Sequence, residues 1–250
     1  DVLAAEDTRS LRRLMELHGL SPGDRPLLSY HDHNGAKMRP RLLEHLKAGR
    51  SVVYASEAGT PLLADPGFVL AREARAEGVP VTAAPGASAL LAALCVAAMP
   101  SDQVHFAGFL PNAAAARRGA LEALRAVPGT LVLYESPKRA AASLRAAAET
   151  LGPDREAALC RELTKRFEEV RRGTLAELAA CAEAEPPRGE CVILIDRART
   201  PDVNDDVLER SLREALTGMS VKDAADAVSR AHGVPRRKVY QMALGMERGE

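Results

Sequence analysis

Short runs rich in β-branched and other apolar residues recur along the 250-residue chain at Val2–Ala5, Ser51–Ala55, Val79–Ala83, Val104–Phe109, Thr130–Tyr134, Ala157–Cys160 and Cys191–Ile195. Most are separated by segments of helix length, and that alternation leaves few ways to bury both kinds of element. It predicts an α/β fold with a largely parallel sheet and helices on its faces. Leu11, Leu14, Met15 and His18 share one helical face after Thr8, and Leu42, Leu43 and Leu46 share another that Gly49 is placed to end.

A boundary is expected at Leu110-Pro111-Asn112-Ala113, where proline and asparagine interrupt a strand before an Ala/Arg-rich helix. The polar stretch from Asp196 to Asp202 reads as a linker. Beyond it come three expected helices, roughly 204–217, 221–232 and 236–246, with Ser220 as an N-cap, Gly233 as a terminator and Pro235 where a helix start tolerates it. The expected organisation is therefore an N-terminal α/β domain over 1–109, a second over 110–197 and a helical domain over 203–250. The chain opens at Asp1 as if at the end of a strand, so the first domain is expected to lack an upstream piece.

Composition removes several function classes. Lys plus Arg and Asp plus Glu both number 34, so no whole-chain field draws in a polyanion, and any nucleic-acid contact must come from local basic patches. No apolar run is long enough to span a bilayer, and no signal peptide is visible. The cysteines, Cys95, Cys160, Cys181 and Cys191, lack metal-ligand spacing and read as buried free thiols in a reducing cytosol.

Chemistry-bearing residues gather where the expected strands end. Ser56-Glu57-Ala58-Gly59-Thr60-Pro61 through Asp65-Pro66-Gly67 follows one strand and precedes a helix, the place where open α/β sheets bind ligands. An ordinary βα turn is the competing reading. Ala84-Pro85-Gly86-Ala87-Ser88 has small residues that let a ligand approach main-chain N–H groups, without the Gly-x-Gly-x-x-Gly dinucleotide pattern. Ala5-Glu6-Asp7-Thr8-Arg9 either holds a polar ligand or caps the next helix. Tyr134-Glu135-Ser136-Pro137-Lys138-Arg139 and Arg161-Glu162-Leu163-Thr164-Lys165 through Glu169 bring acids and bases together, either as an electropositive cleft or as solvated faces. His31 and His33 flank Asp32 without a third ligand and read as polar loop residues, so no metal site is expected. No nucleophile elbow occurs.

Taken in chain order, with Gly108-Phe109-Leu110-Pro111 and Arg188-Gly189-Glu190, these motifs resemble the tetrapyrrole-methylase superfamily over nearly the whole chain, and within it the RsmI branch of rRNA cytidine 2′-O-methyltransferases. The resemblance implies two α/β domains with S-adenosyl-L-methionine between them, a homodimer, cytoplasmic location, and as substrate a decoding-centre cytidine of 16S rRNA in assembled small subunits. Neither membrane nor DNA is implied as a partner. It implies that Glu57, Ala58, Gly59, Thr60, Pro85, Gly86 and Ser88 hold the cofactor. Arg9, Arg139 and Arg161 would contact RNA, and Glu135 and Lys165 would be catalytic. The tail would add a small helical domain whose basic last helix either contacts phosphates or serves as a surface cap. Departures from the branch are the absence of an upstream strand and Ala-Thr-Pro-Ile-Gly-Asn loop, Glu57 for Asp, Ala87 for Pro and Lys138 for His. The extra methylene of Glu57 moves its carboxylate by about one C–C bond length. The rival functions are methylation of a corrin or porphyrin ring and noncatalytic RNA binding in ribosome assembly.

Overall fold

The computed structural model describes residues 1–64, 66–198, 205–232 and 234–248. Asp65, Gly233 and the expected linker from 199 onward lie outside the described residues. The chain divides into two compact units, Asp1–Asp196 and Arg197–Glu250.

The first unit contains two sheets. Strands β1 (Val2–Ala5), β2 (Leu27–Ser29) and β3 (Val52–Ala55) form a three-stranded sheet of order β2-β1-β3, parallel throughout. Helices α1 (Thr8–Leu17), α2 (Gly35–Lys47) and α3 (Phe68–Ala76) cover it. Successive β1 residues point to opposite faces. Val2 and Ala4 therefore pack with Leu42 of α2 and Leu70 of α3, whereas Leu3 and Ala5 pack with Leu11 of α1. Parallel pairing puts all three strand ends, and the loops that leave them, at one edge.

Helix α4 (Ala89–Ala97) leads to the second sheet, built from β4 (Val104–Phe109), β5 (Thr130–Glu135), β6 (Glu156–Arg161), β7 (Glu169–Thr174) and β8 (Cys191–Ile195) in the order β4-β5-β8-β6-β7. Helices α5 (Ala114–Leu124), α6 (Ala140–Leu151) and α7 (Leu175–Ala184) complete it. Leu131, Leu133, Leu159, Ile193 and Ile195 face α5, α6 and α7, while Val132, Ala158, Cys160, Val192 and Leu194 face α4. Burial on both faces explains why these strands read as unbroken apolar runs. A capping box stops β7 and starts α7, with Thr174 Oγ1 accepting the Glu177 N–H and the Glu177 carboxylate accepting the Thr174 N–H.

Several expectations are corrected. Only the β4–β5 pair of the second sheet is parallel; β5–β8, β8–β6 and β6–β7 are antiparallel. Strand β4 pairs with β5, and α4 packs on the same sheet, so the change of sheet falls before α4 rather than after Phe109. Val79–Ala83 pairs with no strand among the described residues: the Val79 N–H turns back to Ala74 O and Pro80 has no N–H to donate. Glu169–Thr174, outside the expected strands, is an edge strand, where charged side chains discourage pairing with another chain. Cys160 and Cys191 are buried, which pushes both thiols up to about 11, but Cys95 is exposed.

The second unit is helical, with α8 (Asp205–Leu216), α9 (Val221–His232) and α10 (Arg236–Arg248). Leu208, Leu212, Ala224, Ala225, Val228, Val239 and Ala243 form its core. Ser220 caps α9, its Oγ accepting the Asp223 N–H at 3.2 Å and donating to the Asp223 carboxylate at 2.6 Å.

Leu194 is fully buried where β8 meets α4. Leu194→Ala should therefore destabilise the first unit by about 2–5 kcal/mol, measured as a lower urea midpoint with an unchanged slope.

Candidate active site

The two glycine loops meet. Ser56, buried just past β3, donates its hydroxyl to Gly59 O at 3.0 Å, and Gly59 completes the turn at φ 73°. Thr60 then donates its Oγ1–H to Ala87 O at 2.9 Å. Glu57, Ala58, Pro85 and Gly86 remain exposed beside this bond, and a Cβ built on Gly86 would meet only Ala84 O, at 4.0 Å. Ser88 is the N-cap residue of α4 in extended conformation, yet its Oγ is buried and has no hydrogen-bond partner among the described residues. The Leu90 N–H in the first turn is held instead by the Tyr134 hydroxyl at 3.2 Å.

A cavity of about 630 Å3 opens at the same edge of the first sheet, lined by Glu6, the His31-Asp32-His33 run and Leu62, Ala64 and Pro66 of the long loop. Leu62 and Ala64 sit in the left-handed region at φ 70° and 59°. Gly67 (φ 125°) lies so close to Leu62 and Tyr54 that an added Cβ would approach them to 2.9 Å and 3.0 Å. Asp7 caps α1, accepting the Arg9 N–H at 2.7 Å, and pairs with the exposed Arg9 guanidinium at 2.8 Å. That partnership holds the Asp7 carboxyl at about 2. The capping reading of the 5–9 cluster therefore holds for Asp7, while Glu6 faces the cavity.

Motifs of the second half converge on one end of the second sheet. Across β5, β8 and β6 the register runs Glu135, Cys191, Arg161, and Arg161 in turn faces Glu169 of β7. Glu135 is buried and occupied: its oxygens accept the Ser136 N–H at 2.8 Å and the Ser143 hydroxyl at 2.5 Å, with Arg139 Nε at 3.3 Å. Such a carboxylate fixes the start of the 136–143 segment around it. Arg139 also donates to Leu110 O at 2.5 Å and Pro111 O at 3.3 Å, so its guanidinium braces the 110–111 loop. Arg161 is likewise committed, its Nε donating to Glu169 at 2.6 Å.

Lys165 is a half-exposed cation at this end. Its Nζ lies 3.0 Å from Glu162 and 2.9 Å from Glu190, and these hydrogen bonds raise its pKa. Glu162 also accepts the Glu190 N–H at 3.0 Å and sits tightly over Gly189, whose φ of 80° and lack of Cβ make the approach possible. Glu162 and Thr164 themselves adopt left-handed φ values of 49° and 66°. The Arg188-Gly189-Glu190 and 161–169 motifs are thus one structure. No group of three or more His, Cys, Asp and Glu side chains among the described residues is arranged to hold a metal.

Residues 1–179 match the family described as Tetrapyrrole (Corrin/Porphyrin) Methylases, and the chain belongs to that family. Within it, the chain falls with the proteins named ribosomal RNA small subunit methyltransferase I. The one from Mesorhizobium japonicum is 42% identical over 248 residues, covering 99% of this chain and 83% of that protein. The one from Pseudomonas aeruginosa is 40% identical over 248 residues, covering 97% and 87%. Residues 202–247 match the RsmI C-terminal HTH domain. Solved structures share the fold of the first unit: a cobalt precorrin-4 methyltransferase (TM-score 0.55, 19% identity, 78% of this chain and 83% of that one) and a diphthine synthase (TM-score 0.58, 15% identity, 78% and 79%).

The Lys165 cluster makes a pH dependence testable. Glu162 is depressed, first by the Glu190 N–H and then by Lys165, so its contribution to stability is present above the ordinary glutamate range and is lost as pH falls through its depressed value. Lys165 is raised, so its contribution is present below the ordinary lysine range and is lost as pH rises through its raised value. Glu162→Gln should flatten the acid side of the stability profile, followed by urea unfolding between about pH 3 and 7.

Proposed function

We propose that the chain transfers the methyl group of S-adenosyl-L-methionine to the ribose 2′-hydroxyl of a decoding-centre cytidine in 16S rRNA of the assembled small ribosomal subunit. The observation that carries this reading is the similarity, spanning both units, to proteins named ribosomal RNA small subunit methyltransferase I. The helical second unit also favours it over methylation of a corrin or porphyrin ring. A homodimer in the cytoplasm is part of the reading. No helix among the described residues is long and apolar enough to cross a membrane.

The two loops suit the cofactor. The unpartnered Ser88 Oγ, the exposed main chain at Pro85 and Gly86, and the turn at Gly59 offer polar groups and room for close backbone approach. Glu57, Ala58, Gly59, Thr60, Pro85, Gly86 and Ser88 would hold it. When bound, it supplies a methyl group on a positively charged sulfur.

What the chain must add is alignment and charge control. Fixing the ribose oxygen in line with the methyl carbon can remove roughly 7–11 kcal/mol of barrier. Lys165, kept protonated, is suited to stabilise negative charge developing on the ribose oxygen. Glu135 and Arg139, which fix the 136–143 and 110–111 segments, would lie on the RNA side, and the exposed Arg9 is suited to an RNA phosphate.

Lys165→Ala and Thr60→Val should separate these tasks. Lys165→Ala is expected to lower turnover on small subunits about 100-fold with cofactor affinity nearly unchanged. Thr60→Val, which loosens one loop from the other, is expected to weaken cofactor binding about fivefold. Titration calorimetry and single-turnover methyl transfer measure the two; equal effects of both variants on affinity would contradict the assignment.

A further inference from the structure

The cavity at the first-sheet edge contains polar groups that neither the cofactor loops nor the Lys165 cluster uses. Glu6 follows β1 and His31 and Asp32 follow β2, so parallel pairing brings them to one place. The Glu6 and Asp32 carboxylates have no ion-pair or hydrogen-bond partner among the described residues. His31 Nδ1 is buried and likewise unpartnered. Its loop, in contrast, is fixed: Asn34 accepts the His31 N–H at 2.9 Å and donates its amide to Ser29 O at 3.1 Å. The opposite wall carries the left-handed Leu62 and Ala64, and strained backbone of that kind gathers at ligand sites.

Two free carboxylates repel a phosphate. What they favour is a group that presents N–H donors, whether cationic or neutral. Cytosine offers an exocyclic amine beside acceptor atoms on its pairing edge, whereas uracil puts a carbonyl oxygen where that amine would be. An enzyme acting on one nucleotide can also swing its base out of the stack into a pocket.

Resting on the reading that the chain methylates a cytidine ribose, we infer that this cavity receives the target base, with Glu6 and Asp32 accepting the exocyclic amine hydrogens and His31 bonding the pairing edge. With a proton on the ring nitrogen that faces the cavity, His31 donates to the ring N3. The base is thereby discriminated in the first sheet, while the methyl donor is held at the junction of the two sheets.

The test uses the full chain and reconstituted small subunits carrying cytidine or uridine at the target position, with Glu6→Gln, Asp32→Asn and His31→Phe. Single-turnover methyl transfer gives kcat/KM for both substrates, and calorimetry gives affinity for S-adenosyl-L-methionine. The expected result is a loss of about tenfold or more on cytidine for at least one carboxylate variant and for His31→Phe, a smaller preference for cytidine over uridine, and unchanged cofactor affinity. Unchanged preference in all three variants would overturn the inference, as would loss of cofactor affinity, which would assign the cavity to the cofactor's own amine-bearing base. Failure of the unsubstituted chain to methylate either substrate while binding cofactor would instead sink the methyltransferase reading, and this inference with it.

Discussion

One hydrogen bond, from Thr60 Oγ1 to Ala87 O at 2.9 Å, joins loops that belong to different sheets. Thr60 follows β3 of the first sheet. Ala87 precedes α4, whose buried Ala93 and Ala97 are packed onto the second sheet. A single bond of this kind contributes only about 1 kcal/mol. Its weight lies in geometry: it fixes the distance between two exposed main-chain segments, and any ligand using both depends on that distance. The Leu90 N–H to Tyr134 hydroxyl bond repeats the logic by tying the start of α4 to β5.

The second sheet meets this junction with a row of compensated charges. Glu135 with Arg139, Arg161 with Glu169, and Lys165 with Glu162 and Glu190 are each paired within the same sheet end. Mutual pairing explains how a chain of zero net charge concentrates bases beside a cleft. It also leaves the half-exposed Lys165 presenting its charge to solvent.

The strands of the second sheet were legible because both faces are buried, so Leu131–Leu133 and Cys191–Ile195 are apolar without interruption. The same rule misread Val79–Ala83, since apolar character cannot reveal whether a strand finds an edge to join. It passed over β7, whose charged residues suit an edge, and β2, which is only three residues long. In the candidate site, the glycine loops were visible as strand-to-helix turns. The contacts of Glu135 and Arg139 were not, because Ser143 and Leu110 reach them only in the folded sheet. His31 and His33 looked inert for want of metal spacing; what distinguishes them is the cavity formed with Glu6, which depends on the β1–β2 pairing.

If the Thr60–Ala87 junction is the floor of a methyl-donor cleft, S-adenosyl-L-methionine must quiet both loops at once. Hydrogen–deuterium exchange of the full chain, with and without saturating cofactor, measures this directly. The account predicts joint protection of peptides covering residues 56–62 and 84–90, more strongly than anywhere in the helical second unit. Cofactor binding that leaves both segments exchanging as before would contradict it.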